Sequence, residues 1–269
     1  MHNFIPAHRF FPYLTWKEVQ EMPDKKNVVI IQPIGSIEQH GHHLPIIVDS
    51  AIGLAVIGQA LASLNKDIPA YCLPPLYYGK SNEHEGFPGT ITLSANTLLA
   101  ILQEVADSIY EAGFRKLAIV NSHGGQPQIL EIAARDTHHK YQDFCIFPLF
   151  IWKVPNIAQE ITTEKEIEYG IHGGDLETSL MLSILPEQVK MELAVQNYPF
   201  GLPRNSLLTM EGKLPFAWLT KELSKTGVLG DATMATKEKG DTLLASLAQG
   251  WVNLIEDIYK FEQPQINKQ

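Results

Sequence analysis

The sequence is poor in cysteine and in basic residues. Its 269 residues include two cysteines, and 21 Lys and Arg stand against 30 Asp and Glu, which gives a formal net charge of -9 at pH 7. Cys72 and Cys145 both lie in apolar segments, so we interpret them as small hydrophobic side chains in a reducing cytoplasm and not as a disulfide framework. Because no run of Lys or Arg could follow a chain of phosphates, the composition argues against nucleic acid and anionic membranes as partners.

Long apolar runs are absent as well. The longest candidate, AIGLAVIGQALASL at residues 51–64, is shorter than the roughly 20 residues that a membrane-spanning helix needs. It follows Asp49 and Ser50, a good N-cap pair, and therefore predicts a buried core helix. The N-terminal segment has no basic start with a continuous apolar run, so we expect no export signal. We expect a single domain over residues 1–269, whose partners are small molecules or other copies of the chain.

Strand-like and helix-like segments alternate through the first half of the chain. Apolar, often β-branched runs at residues 27–35, 116–121 and 144–151 predict strands, the first two of them central and buried on both faces. Helical periodicity between Ser94 and Gly113 predicts an amphipathic helix, and a second helix follows the second strand. This alternation predicts an α/β fold with a parallel sheet and crossover helices.

One long segment, residues 197–218, contains three prolines and no clear strand or helix pattern. Segments of this kind form lids over sites, contacts between subunits or plain surface loops. The residues alone leave these interpretations open.

Metal-type side chains follow both predicted central strands. The stretch GSIEQHGHHLPIIVD carries Glu38, His40 and Asp49 after the first strand, and His123 follows the second. Because ligands bind at the carboxyl edge of an open parallel sheet, we expect the two stretches to meet at one rim. Glu38 and His40 are two residues apart, so an extended segment turns both to the same side. Carboxylate and imidazole ligands without a thiolate suit Zn, Mn or Fe and favour a catalytic site.

Two further stretches add candidates. HGGDLETSLML contains His172 and Glu177 around a helix start that Asp175 is placed to cap. A capped core helix explains this stretch as well as a functional site does. His84 either lines the site or is a hydrogen-bonded loop histidine. His43 has a histidine neighbour, and only one of the two can face the metals, so we expect one of them to support a ligand.

Several spaced motifs resemble those of the creatininase (creatinine amidohydrolase) family. In order, they are PIGSIEQHGHHLPIIVD, NEHEGFPGTITLS, VNSHGGQ, HGGDLETSLML and GVLGDATMATKEKG. The resemblance covers nearly the whole chain. It implies a three-layer α/β/α fold with a mainly parallel central sheet, a binuclear metal site and assembly as a homo-oligomer, often a hexamer.

The resemblance also assigns ligands to two divalent ions, which are Zn, Mn or Fe, and implies no organic cofactor. The ligands of the first ion are Glu38, Asp49 and His123. His40 binds the second ion together with Asp49, which bridges the two. Creatininase has a glutamate for the second ion two positions after the histidine that matches His123, whereas this chain has Gly125 there. Glu177 is our candidate for the missing ligand, and the alternative is that the second ion is not bound.

The expected reaction is hydrolysis of a non-peptide C–N bond in a cyclic, creatinine-like amide. A metal-bound hydroxide attacks the carbonyl carbon, His172 passes a proton to the departing nitrogen, and Glu177 orients the water or binds the second ion. A creatinine hydrolase is expected to carry a tryptophan four residues before the histidine that matches His172, where this chain has Glu168. The physiological substrate is therefore open.

Two alternatives remain within the family. One is a formamide hydrolase that acts on a formylaminopyrimidine nucleotide of flavin or deazaflavin synthesis, for which Lys80 or Arg204 could contact the phosphate. The other is a peptide-trimming role in cofactor maturation. A third alternative, from another class, is a non-catalytic metal-binding scaffold. Two metals with an open water position favour the enzyme, whereas one saturated metal or none favours the scaffold.

Overall fold

A four-stranded parallel sheet forms the centre of the molecule. The computed structural model describes residues 4–199, 206–212 and 214–263. The strands are β1 (Val29–Ile34), β2 (Ala70–Cys72), β3 (Lys116–Asn121) and β4 (Cys145–Phe150). Their order in the sheet is β2-β1-β3-β4, and all three pairings are parallel. The predicted parallel sheet is confirmed.

Helices connect and cover these strands. They are α1 (Trp16–Glu21), α2 (Val48–Ser63), α3 (Ala95–Glu111), α4 (Pro127–Lys140), α5 (Ala158–Ile161), α6 (Glu164–Tyr169), α7 (Asp175–Ile184), α8 (Thr220–Leu223) and α9 (Lys237–Lys260). A short antiparallel pair, β5 (Gln196–Asn197) and β6 (Gly230–Asp231), lies outside the main sheet. The amphipathic helix predicted between Ser94 and Gly113 is α3, and the Ser94 side chain caps it by accepting from Thr97 N.

Two hydrophobic cores lie on opposite faces of the sheet. Val29 and Ile31 of β1 belong to the core formed with α2, α7 and α9, whereas Ile30 and Ile34 belong to the core formed with α3 and α4. Successive strand residues point to opposite faces, so a strand buried on both sides needs a continuous apolar run. The predicted three-layer α/β/α arrangement is therefore confirmed.

Two capping predictions are wrong. Helix α2 begins at Val48, after an N-cap residue that makes no side-chain cap, so Asp49 lies in its first turn. Helix α7 begins at Asp175 itself, after Gly174. Both carboxylates have other partners: Asp49 faces His40 and His123, and Asp175 accepts from the Lys239 ammonium at 2.7 Å. Side chains that the local sequence predicts as helix caps thus form contacts with residues far away in the chain instead.

Both cysteines are free, with Cys72 buried and Cys145 half-buried. Within the described ranges, no helix combines the length and the apolar character that crossing a membrane requires. The assignment of all residues to one domain stays a prediction.

Candidate metal centre

Two loops deliver the predicted ligands to the edge where β1 and β3 end. The loop after β1 carries Glu38 and His40, and α2 follows with Asp49 in its first turn. His123 comes two residues after the end of β3. Asn121 holds this turn, because its Oδ1 accepts from His123 N at 3.0 Å and its Nδ2 donates to His123 O at 2.7 Å. Parallel pairing of the two strands therefore brings both loops to one place, as predicted from the sequence.

His123 directs its Nδ1 at two carboxylates. This atom lies 3.1 Å from Glu38 Oε2 and 3.3 Å from Asp49 Oδ2. On the other side of the ring, Nε2 lies 3.0 Å from Lys80 O, a carbonyl that can only accept, so Nε2 carries the proton. Burial by itself lowers the pKa of His123, but Glu38 and Asp49 raise it well above its ordinary value. Nδ1 thus lies in a strongly negative pocket that favours a cation on this nitrogen, either a proton or a metal ion.

His40 shows the same arrangement with the ring turned over. Its Nδ1 lies 3.2 Å from Glu38 O, which fixes the proton there, and its Nε2 is buried without a hydrogen-bond partner. That nitrogen lies 3.6 Å from Asp49 Oδ1, 3.8 Å from Glu38 Oε1 and 4.0 Å from Glu177 Oε2. Burial disfavours protonation, yet Asp49, Glu177 and Glu38 raise the pKa of His40 to about 9. A buried imidazole nitrogen surrounded by carboxylate oxygens favours a cation, which is either a proton or a metal ion.

These donors form three overlapping sets that fit divalent metal ions. In each set one donor atom per residue lies within 4.8 Å of the others. The sets are Glu38 with His40 and His172, Glu38 with Glu83 and His123, and His40 with Asp49 and Glu177. Nitrogen and carboxylate oxygen are donors that Zn, Mn and Fe accept. Asp49 presents Oδ1 to His40 and Oδ2 to His123, the orientation that a bridging carboxylate needs.

Glu177 reaches this centre from the first turn of α7. Its Oε2 accepts from Gly173 N at 2.7 Å, which holds the carboxylate at the helix start. Burial and the nearby Asp49 and Glu38 charges raise the pKa of Glu177 to about 7, although His40 acts in the opposite direction. The carboxylate therefore lies where a third ligand beside His40 and Asp49 would be, and its role as that ligand stays a prediction.

His172 lies beside both groups of ligands. Its Nε2 donates to Gln39 O at 2.6 Å, so Nδ1 is unprotonated and lies 3.7 Å from Glu38 Oε1. The ring packs against His40 at 4.1 Å and against His84 at 4.0 Å between centroids. Burial, followed by the neighbouring His84 and His40, lowers the pKa of His172 well below its ordinary value. His172 is thus a neutral imidazole with a free lone pair at the centre, available to a proton or to a metal.

His84 lies beside Glu38 in this geometry. Its Nδ1 lies 2.9 Å from the Gln39 side-chain nitrogen and 2.9 Å from Thr220 Oγ1. Gln39 Oε1 accepts from Gly41 N, so the Gln39 nitrogen donates and His84 Nδ1 accepts. His84 then carries its proton on Nε2, which lies 3.4 Å from Glu38 Oε1. The protonated nitrogen faces Glu38 and offers no lone pair to a metal, and the role of His84 as a support for Glu38 stays a prediction.

His43 is buried, whereas His42 is exposed. His43 Nε2 lies 2.9 Å from Thr178 Oγ1 of α7 and does not belong to any of the three donor sets. Burial, followed by nearby His40 and His42, lowers the pKa of His43 to about 4. His43 therefore joins the loop after β1 to α7 as a neutral side chain.

Sequence reasoning missed several residues of the centre. Ser81 Oγ donates to Glu38 Oε2, and Ser36 Oγ donates to Asp49 Oδ2. Glu83 Oε1 lies 3.1 Å from His123 Nε2. Gln39 lies between Glu38 and His40 in the sequence, and its side-chain nitrogen lies 2.9 Å from His84 Nδ1 and 3.0 Å from His172 Nε2. Ser36 had a usable signal, because it precedes Glu38 by two positions and so shares its side of an extended segment.

A cavity of about 240 Å³ opens beside His172 and Glu177. Its aromatic and aliphatic wall consists of Phe150, Trp152, Ile167, Ile171 and Leu176. Glu166 and Glu211 add carboxylates, and the described residues that line the cavity include no Lys or Arg. Glu211 belongs to the segment at residues 197–218, so the described part of that segment reaches the cavity, as a lid would.

The chain matches a known protein family along most of its length. A family model described as creatinine amidohydrolase (Creatininase) matches residues 12–255. The chain belongs to the creatininase family. All predicted site residues, from Glu38 to Glu177, lie inside the matched span, and the expected hydrolase class is confirmed at the level of this family.

Three relatives show how varied the creatininase family is. The chain is 30% identical to the creatinine amidohydrolase of Pseudomonas putida over 262 residues, which is 92% of this chain and 96% of the relative. It is also 30% identical to the mycofactocin precursor peptide peptidase of Mycolicibacterium smegmatis, covering 85% and 84% of the two chains. The 3-dehydro-scyllo-inosose hydrolase of Thermotoga maritima is 27% identical, with coverage of 94% and 84%. The substrate of this family member does not follow from similarity.

Solved creatininases share the fold and contain metals. One creatininase structure has a TM-score of 0.77 at 27% identity, covering 94% of this chain and 99% of that chain. A creatininase mutant of the Zn–Zn type has a TM-score of 0.75 at 28% identity, with coverage of 93% and 98%. Other creatininase structures contain Mn or are complexed with creatine. Zinc and manganese are thus metals of solved family members.

Proposed function

We propose that the protein is a metal-dependent hydrolase that cleaves the C–N bond of a small non-peptide amide, of the cyclic, creatinine-like kind. The observation that carries this proposal is the convergence of two buried imidazole nitrogens, His40 Nε2 and His123 Nδ1, on the two oxygens of one carboxylate, Asp49. Such a centre beside a partly apolar cavity is typical of catalytic binuclear sites.

In this proposal the two ions divide the ligands as the family pattern implies. Glu38, Asp49 and His123 would hold the first ion, and His40, Asp49 and Glu177 would hold the second. Glu177 completes the second set because Gly125 has no side chain to offer. Divalent ions bound there polarise a substrate carbonyl and lower the pKa of a coordinated water.

A side chain of the protein, His172, then transfers the proton. His172 Nδ1 is neutral and unprotonated, so it accepts a proton released during attack and delivers it to the departing nitrogen. Gln39 O accepts from Nε2 of the same ring, which keeps the ring in the tautomer that this transfer needs. Glu177 lies next to His172 along the cavity wall and orients the water on its unligated side.

The lining of the cavity favours a neutral or cationic substrate over a phosphorylated one. Among the described lining residues, Glu166, Glu177 and Glu211 supply negative charge. Lys80, one candidate for a phosphate contact, is 3.2 Å from Glu83 Oε2 and donates to Gly125 O at 3.3 Å. The other candidate, Arg204, lies outside the described residues. We therefore favour a cyclic amide over a formylaminopyrimidine nucleotide as the substrate.

A substrate panel tests the proposal. Metal-loaded protein is assayed with creatinine, other small cyclic amides, formylated aminopyrimidines and short peptides. We expect turnover of cyclic amides that is lost in His40→Ala and retained in His42→Ala, an exposed neighbour that serves as the matched control. Unchanged turnover in His40→Ala contradicts the proposed centre, and exclusive cleavage of formyl compounds or peptides contradicts the proposed substrate.

Metal analysis separates the enzyme from a scaffold. Protein purified without added metal is expected to contain close to two equivalents of Zn, Mn or Fe. One saturated ion, or none, together with an inactive panel supports the non-catalytic alternative.

We also propose that the protein is a homo-oligomer, with the hexamer implied by family resemblance. Support comes from the segment at residues 197–218, where Leu207 is 80% and Leu208 54% exposed. Burial against another copy would remove this apolar surface from water. Sedimentation velocity tests the proposal, and a monomeric mass contradicts it. The cytoplasmic location stays a prediction.

A further inference from the structure

The space beside Gly125 is occupied by another residue. A Cβ added at Gly125 would collide with the carboxylate of Glu83 and would lie 2.6 Å from His123 Nε2. Glu83 comes from a separate loop, in the short helical turn Asn82–His84 that precedes α3. A side chain at position 125 and the Glu83 carboxylate in its observed place therefore exclude each other.

The Glu83 carboxylate is held against the back of His123. Its Oε1 lies 3.1 Å from His123 Nε2 and is buried, with no well-aligned hydrogen bond from the described residues. Its other oxygen, Oε2, lies 3.2 Å from the Lys80 ammonium, which also donates to Gly125 O at 3.3 Å. Lys80 thus ties Glu83 to the glycine whose space it fills, and the Lys80 carbonyl shares the same face of the His123 ring.

We propose that Glu83 is a positioning residue of the metal centre, whose carboxylate fills the space that a side chain at position 125 would need. The carboxylate faces the Nε2–H of His123, so it keeps the proton on that nitrogen and the Nδ1 lone pair directed at Glu38 and Asp49. Carboxylate partners of metal-binding histidines fix the tautomer and raise the basicity of the ligand. Gly125 is the other half of this pair, because only a residue without a side chain leaves room for Glu83.

This inference rests on the proposed metal centre, and metal affinity tests it without an assay of turnover. Dissociation constants for Mn²⁺ and Zn²⁺ are measured by competition with a chelator for wild type, Glu83→Ala, Glu83→Gln, Gly125→Ala and the double variant Glu83→Ala/Gly125→Ala. Glu85→Ala is the matched control, because Glu85 is an exposed glutamate two positions away.

We expect Glu83→Ala to weaken metal binding about 10- to 100-fold, the usual loss when the partner of a ligating histidine is removed. Gly125→Ala is expected to cause a similar loss, because its methyl group displaces the Glu83 carboxylate. The double variant should lose less affinity than the product of the two single losses, since the Glu83 carboxylate is no longer there to be displaced and only the contact of the methyl group with His123 Nε2 remains. Glu83→Gln should recover part of the affinity, because its amide oxygen still faces the Nε2–H of His123, and Glu85→Ala should match wild type.

Three results overturn the inference. They are that Glu83→Ala binds metal as tightly as wild type, that the losses of the two single variants multiply in the double variant, or that Glu83→Gln binds metal as weakly as Glu83→Ala. Thermal unfolding in excess chelator shows whether each variant folds, so a loss of affinity is distinguished from a loss of structure. If wild type itself binds no divalent ion, the proposed function fails as well, whereas tight binding by wild type and Glu83→Ala alike removes only the role of Glu83.

Discussion

Two clusters of buried acidic side chains differ in where their oxygens find partners. The first consists of Glu166, Asp175 and Asp231, here called the α6–α7 acidic cluster. Glu166 accepts from Asp175 N at 2.8 Å, from Asp231 N at 3.0 Å and from the Tyr198 hydroxyl at 2.9 Å. Asp175 accepts from the Lys239 ammonium at 2.7 Å. Donors of the chain itself therefore satisfy this cluster.

The candidate metal centre is different. Asp49 turns one oxygen toward His40 and the other toward His123, and His40 Nε2 has no hydrogen-bond partner. Serine hydroxyls donate to Asp49 and Glu38, yet the remaining lone pairs face one another. Buried polar groups are normally hydrogen-bonded, so buried carboxylates gathered around an unpaired imidazole nitrogen favour a cation, whereas a carboxylate cluster with its own donors stabilises the fold. Variants that affect one cluster and spare the other can test this difference.

The largest effect is expected from His123→Ala. Loss of a predicted ligand should weaken divalent metal binding by more than about 100-fold, because loss of a residue that only supports a ligand already costs about 10- to 100-fold. Elemental analysis and chelator competition measure the effect. His139→Ala removes an exposed histidine and should bind metal like wild type. Equal metal contents in the two variants would assign the metal, if any, to other residues.

His172→Gln sharpens the description of the metal centre itself. Removing a group that transfers protons should lower kcat by about 10²- to 10⁴-fold while the metal content stays at the wild-type value. Steady-state kinetics on a substrate from the panel, combined with elemental analysis, measures both quantities. A parallel loss of metal would show instead that His172 Nδ1 is a ligand, as its place in the set with Glu38 and His40 allows.

The α6–α7 acidic cluster should respond in stability and not in metal binding. Lys239→Met leaves Asp175 buried without its ammonium partner and should lower the free energy of unfolding by about 3 kcal/mol. Urea unfolding of the metal-free protein measures this. Lys237→Met removes an ammonium that pairs with exposed Asp241, and the expected loss is below about 1 kcal/mol. Similar losses in the two variants would argue that the buried pair has no special role.

The smallest effect concerns pH. The pKa of His43 is lowered to about 4 in the folded protein, so between that value and the ordinary pKa of about 6.5 the unfolded chain binds more protons. The stability from neutral His43 is therefore present above about pH 6.5 and is lost as the pH falls toward 4. Between pH 7 and pH 5 the loss is about 2 kcal/mol.

His43→Gln removes this titration while keeping a side chain that can contact Thr178. Urea unfolding at pH 7 and pH 5 should show a smaller difference for the variant than for wild type. Other buried histidines titrate in both proteins, so the comparison isolates His43. Equal pH dependence in the two proteins would contradict its assignment as a neutral buried side chain.

Local pattern predicted the sheet and α3 well, because strand and helix periodicities act through neighbouring residues. It was wrong about the start of α2 and about Asp175 as a cap, since in both cases a good capping residue has a stronger partner far away in the chain. The stretch with His172 and Glu177 was equally compatible with a core helix until the fold placed it beside His40. Glu83 gave no local signal, because its proposed role depends on the room that Gly125, far away in the chain, leaves for its carboxylate.

The sequence by itself therefore determined the α/β architecture, the edge of the sheet that carries the site and the residue types suited to a divalent metal. These follow from periodicity, from the direction of parallel strands and from the chemistry of carboxylate and imidazole. Only the tertiary structure decided which nitrogen of each histidine is free, which acidic residues are satisfied by the chain and that Glu83 fills the space at Gly125. Those properties depend on distances of a few ångströms between segments far apart in the chain, and no pattern of neighbouring residues encodes them.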